Sequence, residues 1–336
     1  MKNIIQEDLF FNNFLSSTRG TIFSLEDIIM DRYYPAISDT KERFLSHKSC
    51  VAYPYSQAGY ETIFILGGKL SWRNLGEMLP KQYFSEVYGQ SVIAKNIKET
   101  KMNTWGVYDE FLFEEIYRKL SEKSDKLKLI IALTTTNHTP YELPDDYKAY
   151  PINISDSIND IIISDHDIAQ LNFRAYQYMN DQFGKFMDKI KSTDLAKNTI
   201  VGYSGDHNSY VLFPYESSEI EEINKHSVPF YLYVPDRLLK SDTVHTKRYS
   251  SHKDIFPTLI NLSLSEQEYF CLGDNLLDNN MPDSIFYGIN GYPFKISDAR
   301  MPDSILNKKI KARKAISEYY FNNVRLEGQN KPISEN

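Results

Sequence analysis

Apolar runs of strand length alternate along this chain with amphipathic stretches long enough to cover them, and no other feature restricts its fold so strongly. Glu61–Leu66 (ETIFIL), Leu127–Thr134 (LKLIIALT) and Val228–Val234 (VPFYLYV) are short and rich in β-branched and aromatic residues, as buried strands are. Around them lie helical patterns: Ile22–Met30 starting just after Thr21, a short one near Trp72–Leu79, Tyr108–Lys123, Ser164–Lys191, and Asp254–Leu262. In Ser164–Lys191, residues Ile168, Leu171, Ala175, Met179, Phe183, Phe186 and Ile190 recur at intervals of three and four, which predicts a core-facing stripe. Strands alternating with helices predict an α/β fold of three layers, a mostly parallel central sheet covered by helices on both faces. With 336 residues and 41% hydrophobic content, the chain reads as one large domain over 1–295, followed by a surface helix and polar tail over 296–336.

Charge and composition remove several classes of function. The net charge is −7 and no Lys/Arg block is long enough for a nucleic-acid footprint, so a nucleic-acid partner is not expected. The two cysteines, Cys50 and Cys271, stand in no metal-ligand spacing. No apolar run approaches the roughly 18 residues of a membrane span, and MKNIIQEDLF lacks the apolar centre of a signal peptide, so the expectation is a soluble chain without its own export signal. The aromatic share, 14%, suits handling of sugars or lipid headgroups, and suits core packing equally.

Chemistry-bearing residues gather where the strands end. TIVGYSGDH (Thr199–His207) reads as a strand stopped by glycine that then presents Asp206 and His207 side by side. A carboxylate and an imidazole there can hold a divalent ion, or can be a satisfied strand-end Asp and a loop His. Gly67-Gly68 with Trp72-Arg73, and Asn137-His138, follow other strands, and loops after parallel strands converge on one sheet edge. Thr21, at a helix start, is either an N-cap or a nucleophile whose alkoxide is stabilised by a metal and the helix dipole. Arg73 is shaped to grip a phosphate, and His138 to donate to a phosphoryl oxygen unless backbone satisfies it. His252, opening SSHKDIFPTL, is either a capping-region residue or a phosphate or metal contact. His47, His166, His226 and His245 have no comparable context.

Taken in order, these segments resemble the sulfatase-type catalytic domain of lipoteichoic acid synthases and related phosphoglycerol and phosphoethanolamine transferases, within the alkaline phosphatase superfamily. The resemblance runs from about Leu9 to about Leu277. FFNNFLSSTRGTIFSLEDII resembles the segment around the threonine nucleophile, implying that role, and a metal contact, for Thr21. GGKLSWRNLGEML implies headgroup binding by Trp72 and Arg73; WGVYDEFLFEEI is similar to a following helical segment; TTTNHTPYELP implies a substrate-phosphate role for His138. YSGDHNSY implies metal ligation by Asp206 and His207, and SSHKDIFPTLINL is similar to the helix that closes the site and carries His252.

The resemblance implies a metal-dependent phosphotransferase moving a phosphoglycerol- or phosphoethanolamine-type headgroup from a lipid to a glycan or polyol acceptor through a phospho-threonine. Its cofactor would be one divalent ion, Mn or Mg, with Zn as the alternative, and its place the extracytoplasmic face of the bacterial cytoplasmic membrane. The family also carries a transmembrane region and a first strand ending in a metal-binding glutamate before the nucleophile, and this chain begins past both. Glu7 and Asp8 are not assigned that role, and Leu66 stands where some synthases have a histidine. Two alternatives remain: an ester hydrolase with water as acceptor, and a non-catalytic binding protein on the same fold. Against a sulfatase proper, nothing near Thr21 has the form of a formylglycine motif, a Cys or Ser followed by Pro and Arg.

Overall fold

A computed structural model describes residues 8–32, 37–209, 212–215, 219–239, 244–280, 285–286, 294–295 and 303–323. In chain order, the elements that place the site are β1 (Leu9–Phe11), β2 (Phe14–Leu15), α1 (Thr21–Met30), β3 (Glu61–Leu66), β4 (Glu86–Tyr88), α2 (Asp109–Ser121) and β5 (Lys128–Leu133). They are followed by α3 (His166–Lys191), β6 (Val201–Ser204), β7 (Phe230–Tyr233), β8 (Ser250–Ser251), α4 (Ile255–Ser263) and α5 (Asp303–Asn323).

Strand β3 is central to a parallel sheet in the order β4-β3-β5, with Glu61 opposite Lys128 and Leu66 opposite Leu133. Its run shows no polar alternation because both faces are covered. Ile63 and Ile65 pack with Ile93 and with Leu112 of α2, whereas Phe64 and Leu66 belong to the cluster that contains Ile22, Leu25 and Ile29 of α1. The predicted three-layer α/β arrangement follows from that division. Helices α2 and α3 are sealed together by Phe113, whose ring centroid lies 5.3 Å from that of Phe186 and 5.9 Å from that of Phe183.

The strand that leads to Asp206 departs from the parallel expectation. It lies in a second sheet, β1-β7-β6, in which β7 is antiparallel to both neighbours, with Val201 opposite Tyr233 and Leu9 opposite Leu232. After β6 the chain turns through the helix Glu219–His226 and re-enters at the same edge, so no crossover is needed to pair the strands. Tyr231 faces Phe183, Met187 and Ile190 of α3, while Phe230 and Leu232 face the α1 and α4 side.

The predicted stripe of α3 holds only in its C-terminal half. Ala175, Phe183, Phe186 and Ile190 are buried and Met179 partly so, but Ile168 and Leu171 are 47% and 40% exposed, and Ala169, Asn172 and Tyr178 face inward instead. A spacing of three and four fixes a helical period without fixing which phase the neighbours cover. Helix α5 lies on the surface, with most of its described side chains exposed, and docks through one side. Phe321, 3% exposed, is stacked on the His47 ring at 4.0 Å with the Arg32 guanidinium 3.7 Å from its centroid, and Tyr320 stacks on Phe270. The polar tail, 324–336, lies outside the described residues. No helix among the described residues is long and apolar enough to cross a membrane.

Candidate active site

Thr21 is the first residue of α1, not its cap. Gly20 occupies the cap position in an extended conformation, and its carbonyl accepts the Ser24 amide at 2.9 Å, while the Thr18 hydroxyl lies 2.7 Å from that of Ser24 and ties the preceding loop to the first turn. The Thr21 hydroxyl, unused for capping, lies 3.4 Å from His207 Nε2. Asp206 Oδ2 lies 3.5 Å from the same nitrogen. His207 Nδ1–H donates to the Asn208 carbonyl at 3.0 Å, which leaves the lone pair of the neutral ring on Nε2, toward Thr21 and Asp206. The turn into this pair is tight: a Cβ on Gly205 would lie 3.2 Å from Val228 Cβ, closer than ordinary contact, so Val228 would have to give by a few tenths of an ångström.

That spacing suits a shared cation. Two donors each about 2.1 Å from one ion at a tetrahedral angle stand about 3.4 Å apart, and the two contacts to Nε2 are of that length. Among the described residues no group of three His, Cys, Asp or Glu side chains could hold a metal. The donor set present is therefore one carboxylate, one imidazole and one hydroxyl, which fits an ion that keeps open coordination positions.

His252 stands apart from the role expected of it. Its ring is 1% exposed; Nδ1 accepts the Ser17 amide at 3.2 Å and Nε2–H donates to the Gly205 carbonyl at 2.9 Å. Both nitrogens are committed to backbone, and burial pushes the imidazole below its ordinary pKa, which keeps it in the neutral form these bonds require. Neither a phosphate nor a metal contact is available to it. Next to it, Lys253 Nζ reaches Asp27 Oδ1 at 2.7 Å, Asp31 Oδ1 at 3.4 Å and the Arg32 carbonyl at 2.7 Å, all at the far end of α1.

Burial pushes Asp31 and Asp109 up to about 6 and Asp254 up to about 7. Each folded carboxyl therefore holds a proton that the unfolded chain releases near pH 4, so stability falls as pH rises from about 4 to 7; His252 opposes this only below about pH 6.5. The melting temperature is expected to decline from pH 5 to pH 7, and a scan that rises over this range would contradict that sign.

Trp72 and Arg73 follow β3 on a short 3-10 turn, with Trp72 half-buried against the core. Arg73 (φ 49°) and Asn74 (φ 54°) both lie in the left-handed region, which costs about 1 kcal/mol per residue and turns the guanidinium outward, where it pairs with Asp39 at 3.2 Å. The turn is joined to α1 through the segment before Asp39. Asn74 Nδ2 donates to the Ser38 carbonyl, and the buried Glu26 carboxylate of α1 accepts the amides of Ile37 and Ser38 at 2.7 and 2.9 Å.

His138 stands after β5 in a third cluster. Its ring lies 4.0 Å from that of Trp105, and Trp105 Nε1–H and His138 Nδ1–H both donate to the Thr139 carbonyl, at 2.7 and 2.9 Å. Asp109, fully buried at the start of α2, accepts the amides of Thr135 and Thr136 with Oδ1 and donates its own amide to the Thr136 hydroxyl. The loops of Trp72 and Trp105 meet at a Gly68–Gly106 bridge so close that a Cβ on Gly106 would lie 2.1 Å from the Gly67 carbonyl oxygen. Trp105→Phe keeps a ring beside His138 but removes one hydrogen bond, so a loss of about 1 kcal/mol is expected together with a shift of the His138 ring nitrogens in NMR. Unmoved resonances would show that the indole does not hold that ring.

Thr21, Asp206 and His207 thus form one contact group, Arg73 is tied to it through α1, and His138 belongs to the adjoining loop cluster. The reading from sequence passed over Asp109 and Trp105, which lie inside WGVYDE, and over Arg19, whose Nε donates to His226 Nε2 at 3.4 Å two residues before Thr21. A charged residue next to a proposed nucleophile was the signal available for Arg19.

The family model for sulfatases matches residues 1–263. Phosphoglycerol transferase I of Escherichia fergusonii is 25% identical over 165 residues, which make up 49% of this chain and 21% of that protein, so the match spans about a fifth of such a relative's length. Among solved structures, lipoteichoic acid synthase LtaP from Listeria monocytogenes superposes with a TM-score of 0.73 at 17% identity, over 97% of this chain and 86% of that one. The Streptococcus pyogenes phosphoglycerol transferase GacH, in complex with sn-glycerol-1-phosphate, gives 0.58 at 14% identity over 95% and 79%. A Vibrio parahaemolyticus protein of the alkaline phosphatase superfamily gives 0.69 at 18% over 96% and 80%, and at these identities the likeness establishes the fold. With most of its length matched by that family model, the chain belongs to the sulfatase family.

Proposed function

We propose that this chain is the catalytic part of a phosphotransferase that moves a phosphoglycerol- or phosphoethanolamine-type headgroup from a lipid to a glycan or polyol acceptor at the extracytoplasmic face of a bacterial membrane, through a phosphodiester on Thr21. The observation that carries this reading is the Thr21 hydroxyl, unused as a cap, 3.4 Å from a His207 ring that has Asp206 beside it. In the first step the Thr21 hydroxyl loses its proton as Oγ1 forms a bond to phosphorus, the bond from phosphorus to the diacylglycerol oxygen breaks, and that oxygen takes up a proton. In the second, an acceptor hydroxyl loses its proton as its oxygen bonds to phosphorus, the bond from phosphorus to Thr21 Oγ1 breaks, and Oγ1 takes up a proton to restore the hydroxyl. The amino-terminal end of α1 places the helix dipole, about half a positive charge, where negative charge develops on Thr21. A divalent ion, Mn²⁺ or Mg²⁺ with Zn²⁺ as the alternative, held by Asp206, His207 and Thr21, would lower the hydroxyl pKa and neutralise charge on the transferring group. Arg73, released from Asp39, would grip non-bridging oxygens, and His138 would present Nε2, since its Nδ1 is engaged with Thr139.

Phosphatidylglycerol incubated with the full chain and Mn²⁺ is expected to leave one glycerophosphoryl group on the peptide containing Thr21, read by mass spectrometry. An adduct on another residue, or none when the donor is consumed, overturns the reading. Arg73→Ala is expected to lower kcat/KM roughly a hundredfold, about 3 kcal/mol, as loss of a donor to the transferring group's oxygens does. An unchanged kcat/KM would remove Arg73 from the site.

A further inference from the structure

We infer that His252 is a positioning residue that sets the distance between the nucleophile loop and the Asp206–His207 loop. The inference rests on the reading of Thr21 as nucleophile and of Asp206 and His207 as ligands. Three features carry it. One imidazole bonds both loops directly: Nδ1 accepts the amide of Ser17, four residues before Thr21, and Nε2–H donates to the carbonyl of Gly205, the residue before Asp206. The ring is itself immobilised, because Ser251 in β8 lies in parallel register with Leu15 of β2, Asp254 accepts the Ser251 amide at 2.7 Å, and Lys253 is pinned to Asp27. Finally, 1% exposure leaves no face of the ring for a ligand, so its two polar atoms have no function other than to join backbone to backbone.

The consequence is geometric. The loop residues 16–20 enter α1, so a displacement of Ser17 is carried to Thr21, and a displacement of Gly205 is carried to Asp206. Backbone bonds from Ser16 to the His226 carbonyl and from Val228 to the Phe14 carbonyl, with Arg19 Nε donating to His226 Nε2, hold the same loop against the 226–229 segment, and the Gly205 amide donates to the Pro229 carbonyl at 3.3 Å, so that segment also joins the loops, but through several residues in series. His252 joins the two loops through one side chain bonded to both backbones, beside the Thr21–His207 contact that it would hold in register.

The test compares His252→Ala and His252→Gln in the full chain. Glutamine restores one acceptor and one donor on a single planar group, whereas alanine restores neither. With Mn²⁺ alone as the probe in calorimetry, His252→Ala is expected to bind about tenfold or more weakly, as loss of an outer-shell support does. Its kcat for phosphatidylglycerol turnover is expected to fall about tenfold to a hundredfold with KM within about threefold, because misplacement of the reacting oxygen acts on the chemical step. His252→Gln is expected to recover both quantities substantially. Wild-type Mn²⁺ affinity and kcat in a folded His252→Ala overturn the inference, as does a folded His252→Gln that is as impaired as the alanine variant. If the alanine variant does not fold, the Ser17 amide resonance in His252→Gln decides: an amide still hydrogen-bonded together with wild-type Mn²⁺ affinity supports the clamp, and a hydrogen-bonded amide with weakened affinity overturns it. Failure of the Thr21 reading has a different signature, since the wild-type protein would then form no adduct on Thr21 while the Mn²⁺ comparison still reported on the clamp.

Discussion

Thr21→Ala is expected to abolish headgroup transfer, lowering kcat by at least about a thousandfold, because the other hydroxyl of the first turn, Ser24, is buried and engaged with Thr18, and loss of a covalent nucleophile leaves only binding and electrostatics to act. The fold is expected to survive. Thr21 is partly exposed, its side chain does not cap α1, and alanine is a better helix former, so unfolding free energy should change by no more than about 0.5 kcal/mol. The same substitution removes one of three donor atoms and is expected to weaken Mn²⁺ binding, whereas Thr21→Ser keeps the hydroxyl and should retain much of the activity. Turnover of a fluorescent phosphatidylglycerol analogue, with urea unfolding as the control for structure, reads all of these. Wild-type turnover by Thr21→Ala would sink the phospho-threonine route, whatever the fold of the protein.

Local features of this site were legible in the chain before its structure was known. The start of α1 at Thr21 follows from apolar spacing that begins at Ile22, and the strand β3 from the five uncharged residues Thr62–Leu66 after Glu61. What local pattern could not carry was anything decided by a distant partner. Strand β6 was visible, but its antiparallel pairing with β7 depends on which edge the chain re-enters after twenty-five intervening residues, 205–229. In α3 the period was visible and the phase was not: Ile168 and Leu171 satisfy the spacing of a core stripe, but the described neighbours, Ile162 and Leu212, pack on Ala169, so the face with Ala169 and Asn172 turns inward instead. His252 shows the same limit in the site itself. Its position before a helix suggested a phosphate contact, and only Ser17 and Gly205, 235 and 47 residues away, reveal that both nitrogens are already used. Asp109 and Trp105 were inside a quoted segment, but their role in bracing the His138 loop depends on Thr135, Thr136 and Thr139, which come from the following strand end.

Lys253→Met is expected to be among the most destabilising single substitutions in the chain, by about 3–5 kcal/mol, because it strands buried carboxylates and not because it deletes a favourable pair. Lys253 is 7% exposed and Asp27 2%; the ammonium touches Asp27 at 2.7 Å and Asp31 at 3.4 Å and donates to the Arg32 carbonyl, so one cation serves two carboxylates and the last turn of α1. Methionine fills most of the volume and leaves both acids uncompensated. Burial already pushes Asp31 up to about 6 with Lys253 opposing the rise, so removing the lysine should raise it further. A carboxyl whose folded pKa lies above its unfolded one stabilises the protein at low pH and loses that contribution as pH rises, so the loss in Lys253→Met should be smaller at pH 5 than at pH 8. Adding Asp27→Asn to Lys253→Met removes one stranded charge and should recover part of the stability at pH 8, a non-additivity that a pair in contact must show. Urea unfolding of the two variants at both pH values measures each of these, and a loss below about 1 kcal/mol for Lys253→Met, equal at the two pH values, would mean that water reaches the carboxylates and that the far end of α1 is held by packing alone.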